Sequence, residues 1–305
     1  FSSVTANPKT ETVEQLVEQF LAEGCDSMVA IGGGSPMDAA KAAAARLARP
    51  DRTLAQMKGL LGVRRRIVPF AGVPTTAGTG SETTIAAVVT DEQHHKYAVG
   101  DLCLIPRWAV LDPVLTASLP ASVTAETGMD ALTHAVEAYT NKLYNTRETR
   151  KLARQAVEAI FRYLPAACTD GDDLQARQEL LTASFRAGVA FTRASVGNVH
   201  AVAHTLGGLY AVPHGRANAV LLPVVLEEYG AAIHRRLAEL ADVVGLCPEG
   251  SAAEKAGAFI DAIYEMNGKL GIPTGFACIR EEDLPQMAAW AEAEANPVYP
   301  VPVIF

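Results

Sequence analysis

Asp130 and His134 stand four positions apart, as do His200 and His204, and His214 follows in Pro213-His214-Gly215. On a helix, an i, i+4 pair shares one face. One carboxylate and several imidazoles drawn from three segments form a donor set suited to a divalent transition metal. An isolated Asp–His pair of this kind is more often a surface ion pair. Here the neighbours are apolar: Met129, Ala131, Leu132, Ala135 and Val136 around the first pair, Val199, Ala201, Val202, Ala203 and Leu206 around the second. Burying so many ionisable groups without a shared partner is costly, and a common metal ion offsets that cost.

A second chemistry is written in glycine and hydroxyls. Gly32-Gly33-Gly34-Ser35 follows a short apolar run, and Pro36 stands where a helix would begin. Backbone N–H groups at such a turn, together with the positive end of the helix, suit a pyrophosphate. The turn lacks the last glycine of a G-x-G-x-x-G fingerprint, because Met37 occupies it, and no Gly-Lys-Ser/Thr follows as in a Walker A loop. Alone it reads equally well as a tight structural turn. Thr75-Thr76-Ala77-Gly78-Thr79-Gly80-Ser81-Glu82 supplies a second loop of the same character. Two such loops at the ends of two strands favour a nucleotide-sized anion site.

The elements that must hold these residues fall into two textures. Up to about Asp112 the order is helix, strand, Gly-rich turn, helix, then strands. The spacing of Val13, Leu16, Val17, Phe20 and Leu21 predicts a helix over 12–23, opened by a Thr12–Gln15 capping box and stopped by Gly24. Buried strands are expected at Ser27–Ile31 and Ile67–Val73, and further strands at Ile85–Val89 and Ala109–Leu111. His94 and His95, after Asp91-Glu92, read as a solvated turn. Beyond Thr124 helices dominate, at about 124–141, 147–164, 174–192, 198–209, 231–245, 252–269 and 281–294. The expected domains are 1–114, an α/β nucleotide-binding layer, and 115–305, an all-helical metal and substrate domain.

Composition narrows the function. A length of 305 residues accommodates two ordinary domains, and a net charge of -8 argues against a nucleic-acid footprint. No apolar run reaches the roughly 18 residues that span a bilayer, and the start carries no secretory pattern. Five widely spaced cysteines without a C-x-x-C point to reduced thiols and a cytoplasmic setting. The first residue is Phe1 and the last four are Pro-Val-Ile-Phe, the pattern of a processed chain or a fragment.

The chain resembles the iron-containing (group III) alcohol dehydrogenases. The resemblance is carried by Gly32–Lys41, by Thr75–Glu82, by Thr127-Gly128-Met129-Asp130-Ala131-Leu132-Thr133-His134 through Tyr139, and by Gly197–His204 through Pro213-His214-Gly215. It implies a dehydroquinate synthase-like fold, with an N-terminal dinucleotide-binding α/β domain and a C-terminal helical domain. It implies that Asp130, His134, His200 and His214 bind the metal, Fe2+ or else Zn2+, and that His204 is a near-metal proton relay. Gly33, Gly34, Ser35 and Asp38 match pyrophosphate and nicotinamide contacts. Thr75, Thr76 and Thr79 match the second cofactor loop, Lys96 a ribose contact, and Phe191 a pocket-lining aromatic. The family's opening strand and closing segment have no counterpart within the chain. The acidic residue that selects NAD over NADP belongs to that opening piece, so either cofactor is expected.

The activity so implied is reversible hydride transfer between a small primary alcohol or diol and NAD or NADP, in a homodimer or larger homo-oligomer. The metal would lower the pKa of the alcohol, and His204 would pass its proton to solvent. Two relatives of the same architecture stand as alternatives: a zinc-dependent polyol oxidoreductase of the glycerol dehydrogenase type, and a dehydroquinate synthase-like lyase. A fragment that keeps the metal helices without holding cofactor is a third. Glu82 and Glu137 read as packing or ligand-supporting residues.

Overall fold

In a computed structural model, which describes residues 1–93 and 95–305, the chain runs from an α/β layer into a helical array. His94 lies outside the described residues, whereas His95 is exposed and donates its backbone N–H to Asp91. The α/β part comprises α1 (Thr10–Ala22), β1 (Met28–Gly32), α2 (Gly34–Ala48), β2 (Gly59–Leu60), β3 (Phe70–Pro74), β4 (Ala86–Thr90), β5 (Lys96–Gly100) and β6 (Trp108–Ala109). The strands β1, β3 and β6 form a parallel sheet in the order β1-β3-β6, with Met28 opposite Phe70 and Gly32 opposite Pro74. A second small sheet, β2-β5-β4, mixes one parallel and one antiparallel pairing.

This register brings the two Gly-rich turns to one edge, because both leave the carboxyl ends of adjacent parallel strands. The Thr75 N–H donates to the Gly32 carbonyl at 3.0 Å and ties their starting points together. One apolar cluster, including Val13, Met37, Ala39, Phe70, Val89 and Leu104, fills the space between sheet and helices. β1 is buried on one face only. Val29 and Ile31 are 63% and 62% exposed, which corrects the reading of a wholly buried strand: α2 covers just the Met28 and Ala30 side. α1 begins two residues earlier than expected, with Lys9 at its N-cap and no side-chain cap, so the Thr12–Gln15 box is not formed. Gly24 does end it, at φ +64.

The helical part comprises α3 (Ala121–Thr140), α4 (Arg147–Thr169), α5 (Leu174–Ala194), α6 (Asn198–Tyr210), α7 (His214–Tyr229), α8 (His234–Val243), α9 (Ala252–Lys269) and α10 (Leu284–Ala295). Its core joins Met129, Leu132, Ile160, Leu180, Leu222, Leu237 and Phe259. α7 is absent from the sequence reading. Pro213 and Gly215 at its start and Pro223 in its interior mask the pattern, since an interior proline removes a helical hydrogen bond. Its burial of Ala217, Leu222, Val225 and Leu226 supports it instead. The short strands β2 and β5 were also unforeseen, and the expected helix over 231–245 is a 3₁₀ turn at Gly230–Ala232 followed by α8.

Glycine fixes how the two parts meet. Gly80 has φ +58, and a Cβ there would lie 2.8 Å from the Cα of Gly188 on α5. A Cβ on Gly188 would in turn meet the Gly80 carbonyl oxygen at 3.0 Å. The Thr192 hydroxyl donates to the Thr83 carbonyl at 3.3 Å beside them. The second Gly-rich loop is thereby seated on the helix that carries Phe191.

Candidate metal centre and cofactor cradle

The acid and the imidazoles are brought together by α3, α6 and α7. The Asp130 Oδ1 atom lies 3.5 Å from His214 Nε2 and 3.9 Å from His200 Nε2. Asp130, His200 and His214 each offer one ligand atom within 4.8 Å of the others. Gly215 makes this possible, because a side chain there would collide with the Glu126 carbonyl of α3. His214 is the first residue of α7, so this close approach places its ring over Asp130. The structure does not bring His134 into that three-residue cluster. Its ring instead stacks between Phe191, at 4.2 Å between centroids, and His200, at 4.6 Å, and its Nδ1 is buried without a hydrogen-bond partner.

Two further side chains orient the cluster. Glu137, one α-helical turn beyond His134, takes His200 Nδ1 at 2.5 Å and the Val199 N–H at 2.8 Å. Burial raises the Glu137 carboxyl to about 7, and in its ionised form it can only accept, so that Nδ1 then carries the proton and Nε2 keeps its lone pair toward Asp130. Asn218 Nδ2 donates to Asp130 Oδ1 at 2.7 Å and lies 3.1 Å from both His200 Nε2 and His214 Nε2. Of the two roles the sequence offers Glu137, packing and ligand support, the structure shows the second, and nothing in the sequence singles out Asn218. An i, i+4 relation between His214 and Asn218 is the signal that α7, once foreseen, would have given.

Electrostatics prepare the cluster to bind a cation. Burial drives His200 well below the ordinary histidine range, and His214, although its side chain is 43% exposed, is lowered as well by enclosure and by the neighbouring His204 and His134, so both rings are neutral at neutral pH. Burial works to raise the Asp130 carboxyl, but His134, His214, His200 and the Asn218 amide hold it below its usual value. An ionised acid beside neutral imidazoles whose Nε2 atoms converge is a set that fits a divalent transition metal.

His204 sits at the rim. Its ring lies flat over His214, with centroids 5.3 Å apart and planes 16° from parallel, and its Nδ1 meets Glu294 Oε1 at 2.6 Å. Lys96, at the start of β5, stands near enough for its charge to help depress His214, behind burial, His204 and His134. The start of β5 in the α/β part therefore lies toward the cluster.

The cradle is made by close approach of two backbones. A Cβ on Gly33 would meet Thr76 Oγ1 at 3.2 Å, and one on Gly34 would meet Thr79 Cγ2 at 3.3 Å. The glycines thus leave the N-terminal N–H groups of α2 open beneath a rim of threonine side chains, the form of a phosphate cradle. Ser35 accepts from the Asn7 N–H at 3.3 Å, and Thr75 lies half-buried at the loop's start. Asp38 is turned into this framework, where the Ser81 hydroxyl donates to it at 3.3 Å. Burial raises its carboxyl to about 6, against the pull of Lys41. Lys41 is the anchor that the sequence reading did not identify. Fully buried, its Nζ donates among Ser81 O, Ser81 Oγ, Thr84 O, Thr84 Oγ1 and Ala86 O at 2.6 to 3.2 Å. That bundle pins the second loop to α2.

Comparison with known proteins agrees with this arrangement. Residues 1–113 match the family description "Iron-containing alcohol dehydrogenase", and residues 124–301 match "Fe-containing alcohol dehydrogenase family, C-terminal". The NAD-dependent methanol dehydrogenase of Bacillus methanolicus is 39% identical over 94% of the chain and 76% of the relative. The 1,3-propanediol dehydrogenase of Klebsiella pneumoniae is 41% identical over 97% of the chain and 77% of the relative. A crystal structure of 1,3-propanediol oxidoreductase superposes with a TM-score of 0.95 at 39% identity, covering 99% of this chain and 80% of that one. An iron-containing alcohol dehydrogenase from Thermococcus thioreducens gives 0.85 at 30% identity, over 98% and 80%. Among the described residues no helix is long and apolar enough to cross a membrane. With both halves matched, in sequence and in three dimensions, the chain belongs to the iron-containing alcohol dehydrogenase family and is an oxidoreductase.

Proposed function

We propose that the chain oxidises small primary alcohols or diols, and reduces the matching aldehydes, with NAD or NADP in the cleft between the Gly-rich loops and the histidine cluster. The observation that carries this reading is the convergence of one ionised carboxylate and two neutral imidazoles beside a glycine cradle held open at a helix N-terminus. Asp130, His200 and His214 would hold the metal, with His134 alongside them. When bound, Fe2+, or Zn2+ in its place, supplies Lewis-acid polarisation of the substrate oxygen, and the nicotinamide takes up or returns the hydride.

The residues of the chain have separable tasks. Glu137 and Asn218 orient the ligands. Gly33, Gly34, Ser35, Thr75, Thr76 and Thr79 receive the cofactor phosphates, Lys96 approaches the sugar side, and Asp38 braces the loop. Phe191, stacked on His134, forms an apolar wall that keeps water from the reacting carbon. His204 exchanges the alcohol proton with solvent from its half-exposed position at the rim. Five unpaired cysteines fit a reducing compartment, the cytoplasm.

The test is anaerobic. The chain is loaded with Fe2+, and NADH or NADPH oxidation is followed with a short aliphatic aldehyde. Chelator-sensitive turnover supports the reading, and the preferred cofactor emerges from the same assay. Substrate consumption without net change in nicotinamide absorbance would replace it with a lyase.

A further inference from the structure

We propose that Glu294 is a positioning residue that fixes His204 in its Nδ1–H tautomer and leaves Nε2 as the nitrogen that meets the substrate proton. The inference rests on the reading of His204 as the proton-exchanging group and extends it to a helix outside the metal cluster.

Three observations converge. First, Glu294 Oε1 lies 2.6 Å from His204 Nδ1. An ionised carboxylate has no proton to give, so the imidazole must donate from Nδ1. Second, the Tyr299 hydroxyl donates to the same Oε1 atom at 2.6 Å. Two donors on one oxygen favour the charged carboxylate and orient it. Burial would raise the Glu294 carboxyl, yet the bonds from His204 and Tyr299 hold it below the ordinary range. Third, the ring is fixed in a plane. It lies flat on His214 and meets His200 edge-on at 6.0 Å and 70°. Among the described residues Nε2 of His204 has no hydrogen-bond partner.

The geometry is supplied by packing that the metal cluster does not use. α10 lies against α6, and Glu294 stands one residue before the end of α10, facing His204 in the middle of α6. Tyr299 returns from the segment after α10 to close the clamp. Without Glu294 the ring can turn about its terminal torsion, and either nitrogen can carry the proton. Rings with the proton on Nε2 would then present an N–H where a lone pair is needed.

The test uses the full chain loaded with Zn2+, which is diamagnetic, and ¹⁵N-labelled histidine. In the unaltered chain the His204 Nδ1 signal should be pyrrole-like and the Nε2 signal pyridine-like. Glu294→Leu should mix the two. In the Fe2+-loaded enzyme it should lower kcat about tenfold or more, with KM for aldehyde changed less than about twofold and metal content unchanged. Glu294→Gln, whose Oε1 still accepts, should keep the tautomer and recover part of the rate. Tyr299→Phe should fall between the two and serves as the probe if Glu294→Leu does not fold. An unmixed tautomer with unaltered kcat in Glu294→Leu, or a rate loss that merely tracks lost metal, overturns the proposal. His204→Ala separates the two levels: full turnover there would overturn the reading of His204 itself, whereas lost turnover there with an indifferent Glu294 would overturn only the clamp.

Discussion

In the helical half, Asp130, His200 and His214 meet because three helices each carry one side chain to a common point, and under the proposed function those side chains hold the metal. In the α/β half, Gly33, Gly34 and Gly80 matter because they have no side chains and let backbones approach closely, and under the proposed function the backbone of the first turn receives the cofactor phosphates. Asp130 and His200 lie buried among apolar side chains and His214 closes the cluster from the exposed side, the set being oriented by Glu137 and Asn218. The cradle is an open edge, kept in shape from behind by Lys41. The difference teaches where each half is vulnerable. The cluster fails by loss of a ligand or its orienting partner, and the cradle fails when something fills or loosens a close approach.

The largest expected effect is on the cluster. His200→Ala should lower metal affinity and aldehyde turnover by about a thousandfold, beyond the roughly 10- to 100-fold typical of an orienting partner. Metal analysis after gel filtration checks it, and retained cofactor affinity in the same variant would show that the halves are separable.

On the cradle side, Lys41→Met should cost about 3 kcal/mol of stability, because it leaves the Ser81 and Thr84 oxygens buried without their donor. Thermal melting reads the loss, and NADH should bind more weakly while metal content stays the same. Gly188→Ala probes the junction. Its Cβ would collide with the Thr83 hydroxyl and crowd the Gly80 carbonyl, at a cost of about 2 kcal/mol, with KM for NADH rising more than kcat falls. Equal loss of metal in either variant would break the proposed division of labour.

The smallest effect is one of pH. Burial raises the Glu82 carboxyl to about 7, from an ordinary 4.5. Its folded-state pKa exceeds its unfolded value, so the folded chain binds the extra proton between those limits. The stability gained from this group is fully present below pH 4.5 and is lost as pH rises through about 7. Glu82→Gln should therefore raise the melting temperature at pH 8 and leave it little changed near pH 4.5. An equal gain at both pH values would assign the effect to packing instead.

Much of this was legible because side-chain chemistry is written in residue types. The pairs Asp130/His134 and His200/His204 in apolar helices, the glycine runs, and the alternation of strand and helix all show in single letters. What stayed hidden depends on distance in space. Glu137 reads equally as a packing or a ligand-supporting residue, and only α6, which brings His200 Nδ1 against it, decides between them. Asn218 was lost with α7, whose prolines silence the helix pattern. Lys41 looks like a surface lysine on an alanine-rich helix, yet it is fully buried, because the loop that accepts its protons lies 40 residues away in sequence. His134 shows the reverse case. Its spacing from Asp130 is ideal for sharing a ligand, while its ring packs between Phe191 and His200.

The most direct test of the central claim is an anaerobic titration of the metal-stripped chain with Fe2+, reading NADH oxidation by a short aldehyde at each addition, in parallel with the same titration of Asp130→Ala. The account predicts activity that rises in proportion to bound iron, levels off at one ion per chain, vanishes with chelator, and does not develop in Asp130→Ala. Full turnover by the stripped chain, or an Asp130→Ala variant that binds iron and turns over like the unaltered protein, would contradict it.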